Sequence, residues 1–323
     1  IRDRINDDDV VMYQFPDRLL CSKEELVGYM VSGLNLTSED VVIIDRTTGV
    51  GQAIMQNAGP ARIGIIIHAD HFSESNCNDD YILWNNYYEY AFSQNKHVDF
   101  YVTATDAQNQ LLKEQFGKYL HVSPRIVTIP VGSLDELKYP AQPRRPYSLI
   151  TASRLAGEKH VNWVVAAAAQ AHEQLPQLTL DIYGKGTEEE NLKDQIKRLG
   201  CTDYIHLMGQ QNLTEVYQDY EAYIAGSTSE GFGLTLLEAV GGGLPIIGFD
   251  VRYGNQNFID EGQNGYKIAL DEHMDDKSKI ALLAEKIVKL FTQADMEAFH
   301  EHSYEKAKGY LTEEVVDKWK NLI

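Results

Sequence analysis

Ser229–Pro245 reads SEGFGLTLLEAVGGGLP, with one short apolar run before it, Ala222–Ala225, and another after it, Ile246–Phe249. Strand, tight loop, helix, strand is the simplest reading of that pattern. Glu230 falls in the loop, just beyond the first strand. Gly231 and Gly233 let the backbone come close to whatever binds there. Leu234 to Val240 predicts a helix stopped by Gly241-Gly242-Gly243, with Glu238 about one turn inside it. The free N–H groups of Gly231, Phe232, Gly233 and Leu234 favour phosphate, and the two carboxylates accept from hydroxyls. The stretch predicts a site for a polyhydroxylated, anionic ligand. Taken alone, two such acids are also what a helix-start charge and a solvated face would give. The glycines on both sides of Phe232 and the triple-glycine stop favour a built loop.

Working outward, the second half alternates strand and helix. Strands are expected at Ser148–Thr151, Leu178–Tyr183 and Tyr204–Met208. Helices are expected at Val161–Leu175, Glu188–Leu199 and Leu213–Tyr220. This spacing implies a parallel, doubly wound α/β sheet. Ligands of such sheets lie beyond the carboxyl ends of the strands. There the chain places Arg154 and Lys159, with Gly184 and Gly209 after the next two strands. On spacing alone the Arg and Lys read as solvated loop charges; their position suggests that they answer an anion.

The first half is similar. A helix is expected at Glu24–Gly33 and strands at Val41–Ile44, Ile63–Ile67, Phe100–Thr103 and Arg125–Pro130, with a helix at Asp106–Gly117. Gly49 and Gly51 form a Gly-x-Gly after a strand, which more often makes a turn than a phosphate cradle. His68 and His71 follow the second strand. Two histidines three apart suggest metal, but no third ligand has sensible spacing; His68, at a strand's carboxyl end, is the functional candidate. The aromatic run Tyr81–Phe92 predicts a helix packing its rings on the core, with a sugar-stacking surface as the alternative. Val131–Tyr147, with Pro140, Pro143, Pro146, Arg144 and Arg145, reads as a linker. Residues 278–321 read as helices broken near Gly309.

Composition sets limits. The 323 residues suit two domains. A formal charge of −19 opposes nucleic acid and anionic membrane surfaces. Cys21, Cys77 and Cys201 are dispersed and odd in number, which suits a reducing, cytoplasmic setting. No apolar run approaches the roughly 18–20 residues of a membrane span.

EGFGLTLLEA resembles the signature of retaining glycosyltransferases of family 4, which have the two-domain GT-B fold. In those enzymes the first acid contacts the transferred sugar and the second holds the nucleotide's ribose, which implies these roles for Glu230 and Glu238. SRLAGEKH resembles the family's Arg and Lys pair on the diphosphate, implying that role for Arg154 and Lys159 and no metal or other cofactor. The His at the place of His68 faces donor sugar or acceptor. Residues 41–51, 67–74, 80–88, 148–160 and 249–265 further resemble one subgroup. That subgroup is the GtfA-type catalytic subunits of O-GlcNAc transferases for serine-rich-repeat adhesins. The resemblance implies UDP-GlcNAc as donor, adhesin Ser/Thr hydroxyls as acceptor, retention of configuration and a GtfB-type co-activator. It also implies a cytoplasmic enzyme, with peripheral association at the inner membrane face as a variant.

The expected division is a remnant of a β-rich insertion at 1–25, with a short strand near Val10–Tyr13. An acceptor-side Rossmann-like domain follows at 26–139 and a linker at 140–147. A nucleotide-sugar-binding Rossmann-like domain occupies 148–305, and a helix crosses back at 306–323. The expected chain is thus an N-terminally truncated member. The alternatives are a wall teichoic acid GlcNAc or glucosyl transferase, and a non-catalytic glycopeptide-binding partner subunit.

Overall fold

A computed structural model describes residues 21–271 and 273–323, so the expected remnant strand near Val10 lies outside the described residues. The first half runs α1 (Lys23–Gly33), β1 (Val41–Asp45), α2 (Gly49–Asn57), β2 (Arg62–Ile67), β3 (Phe72–Cys77), β4 (Ile82–Trp84), α3 (Glu89–Ser93), β5 (Phe100–Thr103), α4 (Asp106–Gln115) and β6 (Ile126–Thr128). The second half runs β7 (Ser148–Ala152), α5 (Val161–His172), β8 (Thr179–Tyr183), α6 (Glu189–Leu199), β9 (Ile205–Gly209), β10 (Ala222–Ile224), α7 (Leu234–Gly241), β11 (Ile246–Phe249), α8 (Gly254–Phe258) and β12 (Gly265–Ile268). Three helices close it: α9 (Asp276–Gln293), α10 (Met296–Lys308) and α11 (Thr312–Leu322).

Two parallel sheets result. The first has the order β1-β2-β5-β6 and the second β12-β11-β10-β7-β8-β9. In the second, chain order reverses at β7, between β8 and β10, so a crevice opens at the carboxyl ends of β7 and β10. Parallel sheets are normally covered on both faces. Around the second sheet, one apolar cluster joins Leu149, Leu180 and Ile224 to Val164, Ala168 and Leu283. The other joins Ile150, Tyr223 and Ile246 to Leu237 and Val240. The start of α11 leans on the connection, Thr312 N–H donating to Leu134 O at 2.8 Å. Its Val315 and Leu322 then cover Phe100, Val102 and Ile129 of the first half. The crossing-back helix is therefore present, and the helix break near Gly309 falls between α10 and α11. Among the described residues no helix is long and apolar enough to cross a membrane.

Two expectations are corrected. Tyr81–Phe92 is not one helix: it begins in β4, paired antiparallel to β3, and only its end enters α3. Asn85 makes the turn, its side chain donating to Asp70 O and its own N–H to His71 O, both at 2.6 Å. The rings of Trp84, Tyr88 and Phe92 still pack into the core. Leu213–Tyr220 is not a helix either, but ends in one 3-10 turn at Tyr217–Asp219. The carbonyls of Gln218 and Tyr220 turn instead to the Arg144 guanidinium, each at 2.9 Å. The end of the connection between the halves is held by further contacts. Arg144 also donates to Gly242 O at 2.8 Å, and Arg145 pairs with buried Asp181 at 3.0 Å.

Candidate active site

The loop at the start of α7 is shaped by its glycines. Gly233 has φ +84°, a left-handed conformation that side chains strain to adopt. A Cβ at Gly231 would lie 3.2 Å from His68 O, so the glycine lets this loop reach the main chain of the first half. Glu230 is clasped by its own backbone. Its N–H donates to Arg252 O at 2.9 Å, and its carbonyl accepts from the N–H groups of Tyr253 and Gly254. The Phe232 side chain turns inward, with 4% of its surface exposed, and packs on Phe258 and Tyr310. Of this expected donor-binding residue, the side chain is core; the backbone alone faces the site. Leu234 does the opposite: it is exposed and shares a cavity of about 540 Å3 with Asp45 and His68.

Lys159 and Glu230, 71 residues apart, form an ion pair with Nζ–Oε2 at 2.6 Å. The side chains are only 15% and 20% exposed, so solvent screens the pair little. The approach depends on Gly226, which no local sequence signal marks. A Cβ there would sit 2.6 Å from His160 O and 3.0 Å from Lys159 O. The Lys159 loop ends at His160, in a left-handed conformation with its ring stacked on Trp163 at 3.7 Å. Arg154 does not join the pair. Its exposed guanidinium contacts Glu158 at 2.9 Å, the four-residue spacing of a weak surface ion pair.

Beside them lies a second cavity of about 380 Å3, between the loops after β7, β8 and β9 and the face of α7. Arg154, Gly184, Lys185, Gln210, Thr235 and Glu238 line it. Gly184 has φ +133°, and a Cβ on it would meet Ser153 O at 1.9 Å. Gly209 is also left-handed, at φ +70°, and turns the chain toward Gln210. Glu238 faces the cavity, and Tyr217 donates to its Oε2 at 2.9 Å. The protein around the carboxyl raises its pKa, and the Tyr217 hydroxyl lowers it. Tyr223 stands between the two acids. Its hydroxyl donates to Ala152 O at 2.8 Å and contacts Thr235 Oγ1 at 3.1 Å. Burial, with smaller contributions from Glu230 and Glu238, pushes its pKa up to about 12.

The two histidines part company. His68 Nε2 contacts Asp45 Oδ1 at 2.8 Å, which joins the carboxyl ends of neighbouring strands β2 and β1. His71 is fully buried on Gln115, and burial lowers its pKa to about 4. It is a core residue, as is Gly51, where a Cβ would strike Tyr90 at 2.5 Å. Among the described residues no three His, Cys, Asp or Glu side chains converge as metal ligands. Two polar contacts cross between the halves beside the glycine loop: Ser229 to Asp70 at 2.7 Å and Arg252 to Glu74 at 2.8 Å.

The sequence pattern of the family described as Glycosyl transferases group 1 matches residues 135–301, about half of the chain and all of the second sheet. The chain belongs to that family. Within the group 1 glycosyltransferases it is 53% identical over 319 residues to the Streptococcus gordonii UDP-N-acetylglucosamine–peptide N-acetylglucosaminyltransferase GtfA subunit. That alignment covers 99% of this chain and 63% of the relative. The crystal structure of the pneumococcal O-GlcNAc transferase GtfA in complex with UDP and GlcNAc superposes with a TM-score of 0.87 at 49% identity. It covers 96% of this chain and 61% of that one. A crystal structure of a GtfA/B complex superposes with a TM-score of 0.90 at 54% identity, covering 96% and 62%. The chain thus spans less than two thirds of the length of these relatives. Its GT-B architecture, two parallel α/β sheets with the last helix crossing back, is common to them.

Proposed function

We propose that this chain carries the donor site of a retaining glycosyltransferase that moves GlcNAc from UDP-GlcNAc to Ser/Thr hydroxyls of a serine-rich-repeat adhesin. The observation that carries the reading is the joining of Lys159 to Glu230 beside the cavity that Glu238 lines. Likeness to the GtfA structure solved with UDP and GlcNAc supports the choice of donor. Glu238 takes the ribose hydroxyls. Gly184 and Gly209 open the floor for the base. Lys159 and Arg154 meet the diphosphate. Glu230 and His68 face the sugar.

In transfer, the bond from sugar C1 to the phosphate oxygen breaks as the acceptor oxygen bonds to C1 on the same face. The hydroxyl proton passes to the leaving phosphate, so UDP departs and configuration is retained. Charge on the diphosphate grows as the bond breaks, and fixed cations there act mainly on the transition state. Arg154 needs little rearrangement, because an exposed pair such as that with Glu158 is worth ~0–1 kcal/mol. The two cations take the part a metal plays elsewhere, and no cofactor is required. The likeness to the chain of a GtfA/B complex supports a GtfB-type partner, and the enzyme is cytoplasmic in this reading.

The test is transfer of GlcNAc to a serine-rich acceptor, read by mass spectrometry with this chain and a GtfB-type partner. Addition of one or more HexNAc masses, lost in Lys159→Ala, is expected. UDP-GlcNAc left untouched would refute the assignment.

A further inference from the structure

Tyr217 is buried, with 2% of its surface exposed, and lies in the short turn where a helix was expected. Among the described residues its hydroxyl is the one side-chain hydrogen bond to the Glu238 carboxylate. The turn is held against α7 by two features. Gly242 has no Cβ, and one built there would lie 2.8 Å from Tyr217 Cβ. Arg144 donates to Gln218 O and Tyr220 O on the turn and to Gly242 O at the end of α7. The ring then runs back along the helix to Glu238, one turn earlier.

We infer that Tyr217 is the positioning residue for Glu238, and that Arg144, on the connection between the halves, fixes Tyr217 in turn. The inference rests on the reading of Glu238 as the ribose acid. A carboxylate accepts only, through two oxygens. With Oε2 held by Tyr217, the carboxyl plane is set and the remaining lone pairs face the cavity. A ribose diol donates two hydrogen bonds and needs that plane fixed. Burial raises the Tyr217 pKa well above the usual tyrosine range, so the hydroxyl remains a donor throughout the working pH range.

The groups facing Glu238 are Tyr217 from the turn, Tyr223 from β10, Thr235 on its own helix, and Arg154 and Lys185 across the cavity. Removing the Tyr217 hydroxyl takes away the contribution that lowers the Glu238 pKa. The carboxyl then protonates at a higher pH, and affinity for a diol is lost earlier as pH falls.

The experiment is UDP titration by calorimetry from pH 8 to pH 5 with the wild-type chain and Tyr217→Phe, folding being checked by melting. We expect Tyr217→Phe to bind UDP about three- to tenfold more weakly at pH 7.5, with the wild-type-to-variant ratio growing as pH falls. Titration of UDP itself cancels in that ratio. A purely structural role gives a constant ratio and overturns the inference, as does equal binding at every pH. Wild-type chain that does not bind UDP overturns the ribose reading instead. Glu238→Gln is the second variant, and UDP binding to it should depend less on pH. A wild-type profile in Glu238→Gln would show that Glu238 is not the titrating group and also overturns the inference.

Discussion

Removing Lys159 alone leaves the Glu230 carboxylate in a site where its side chain is 20% exposed, without its 2.6 Å partner. A hydrogen bond between charged groups contributes ~1.5–3 kcal/mol, and stranding one member of a fully buried pair costs ~3–5 kcal/mol. For this mostly covered pair, about 2–3 kcal/mol is expected for Lys159→Met. Glu230→Gln costs less, because an amide still accepts from the lysine. At roughly 2–4 °C per kcal/mol for a unit of this size, Lys159→Met should lower Tm by about 5–10 °C. The double variant Lys159→Met/Glu230→Gln removes both charges and strands neither. It should melt above Lys159→Met, with a coupling of at least ~1 kcal/mol in the four-protein cycle. The assay is thermal or urea unfolding of the four proteins. Single-variant losses that add within ~0.5 kcal/mol would mean that the two side chains act independently and that the pair does not organise the site.

Arg154→Ala should leave Tm unchanged, since only an exposed contact to Glu158 is lost. It should still lower GlcNAc transfer by about a hundredfold, the order expected for one preorganised electrostatic group; a Tm loss with normal transfer would contradict this. Stability should also depend on pH. Burial lowers the pKa of both His71 and His300 to about 4, below the ordinary value of 6.5. Between those values the unfolded chain binds protons that the folded chain does not, so Tm should fall as pH drops from about 6.5 toward 4. A flat Tm from pH 7 to 5 would contradict the buried, neutral histidines.

The spacing of Glu230 and Glu238 shows the loop and the helix at once, because both acids lie on one continuous stretch of chain, one in the loop and one in α7. The Lys159 partner of Glu230 was hidden. It depends on a backbone approach at Gly226, and nothing local to Gly226 announces what its missing side chain makes room for. Tyr217 was hidden for a related reason. Leu213–Tyr220 has helical periodicity, yet its carbonyls find better donors in Arg144, which the sequence places in a proline-rich connection. The aromatic run Tyr81–Phe92 predicts the buried rings of Trp84, Tyr88, Tyr90 and Phe92, but not the exposed Tyr81 and Tyr87 nor the turn, because Asn85 takes its partners from residues 70 and 71. Phe232 sits between two loop glycines in the sequence, but its ring has Phe258 and Tyr310 to pack on. The parallel sheets are legible except at the edge strand β12, since the other strands are short apolar runs between helical patterns, whereas Gly265–Ile268 carries Gly265 and Lys267.

Titration of UDP into this chain in the presence of EDTA, alongside Glu238→Ala, tests the donor site itself. One UDP should bind per chain without metal. Glu238→Ala should bind about ten- to a hundredfold more weakly, the loss of ~1.5–3 kcal/mol from a charged hydrogen-bond partner. No binding without a divalent metal, or equal affinity in the two proteins, would contradict a nucleotide site built from Lys159, Glu230 and Glu238.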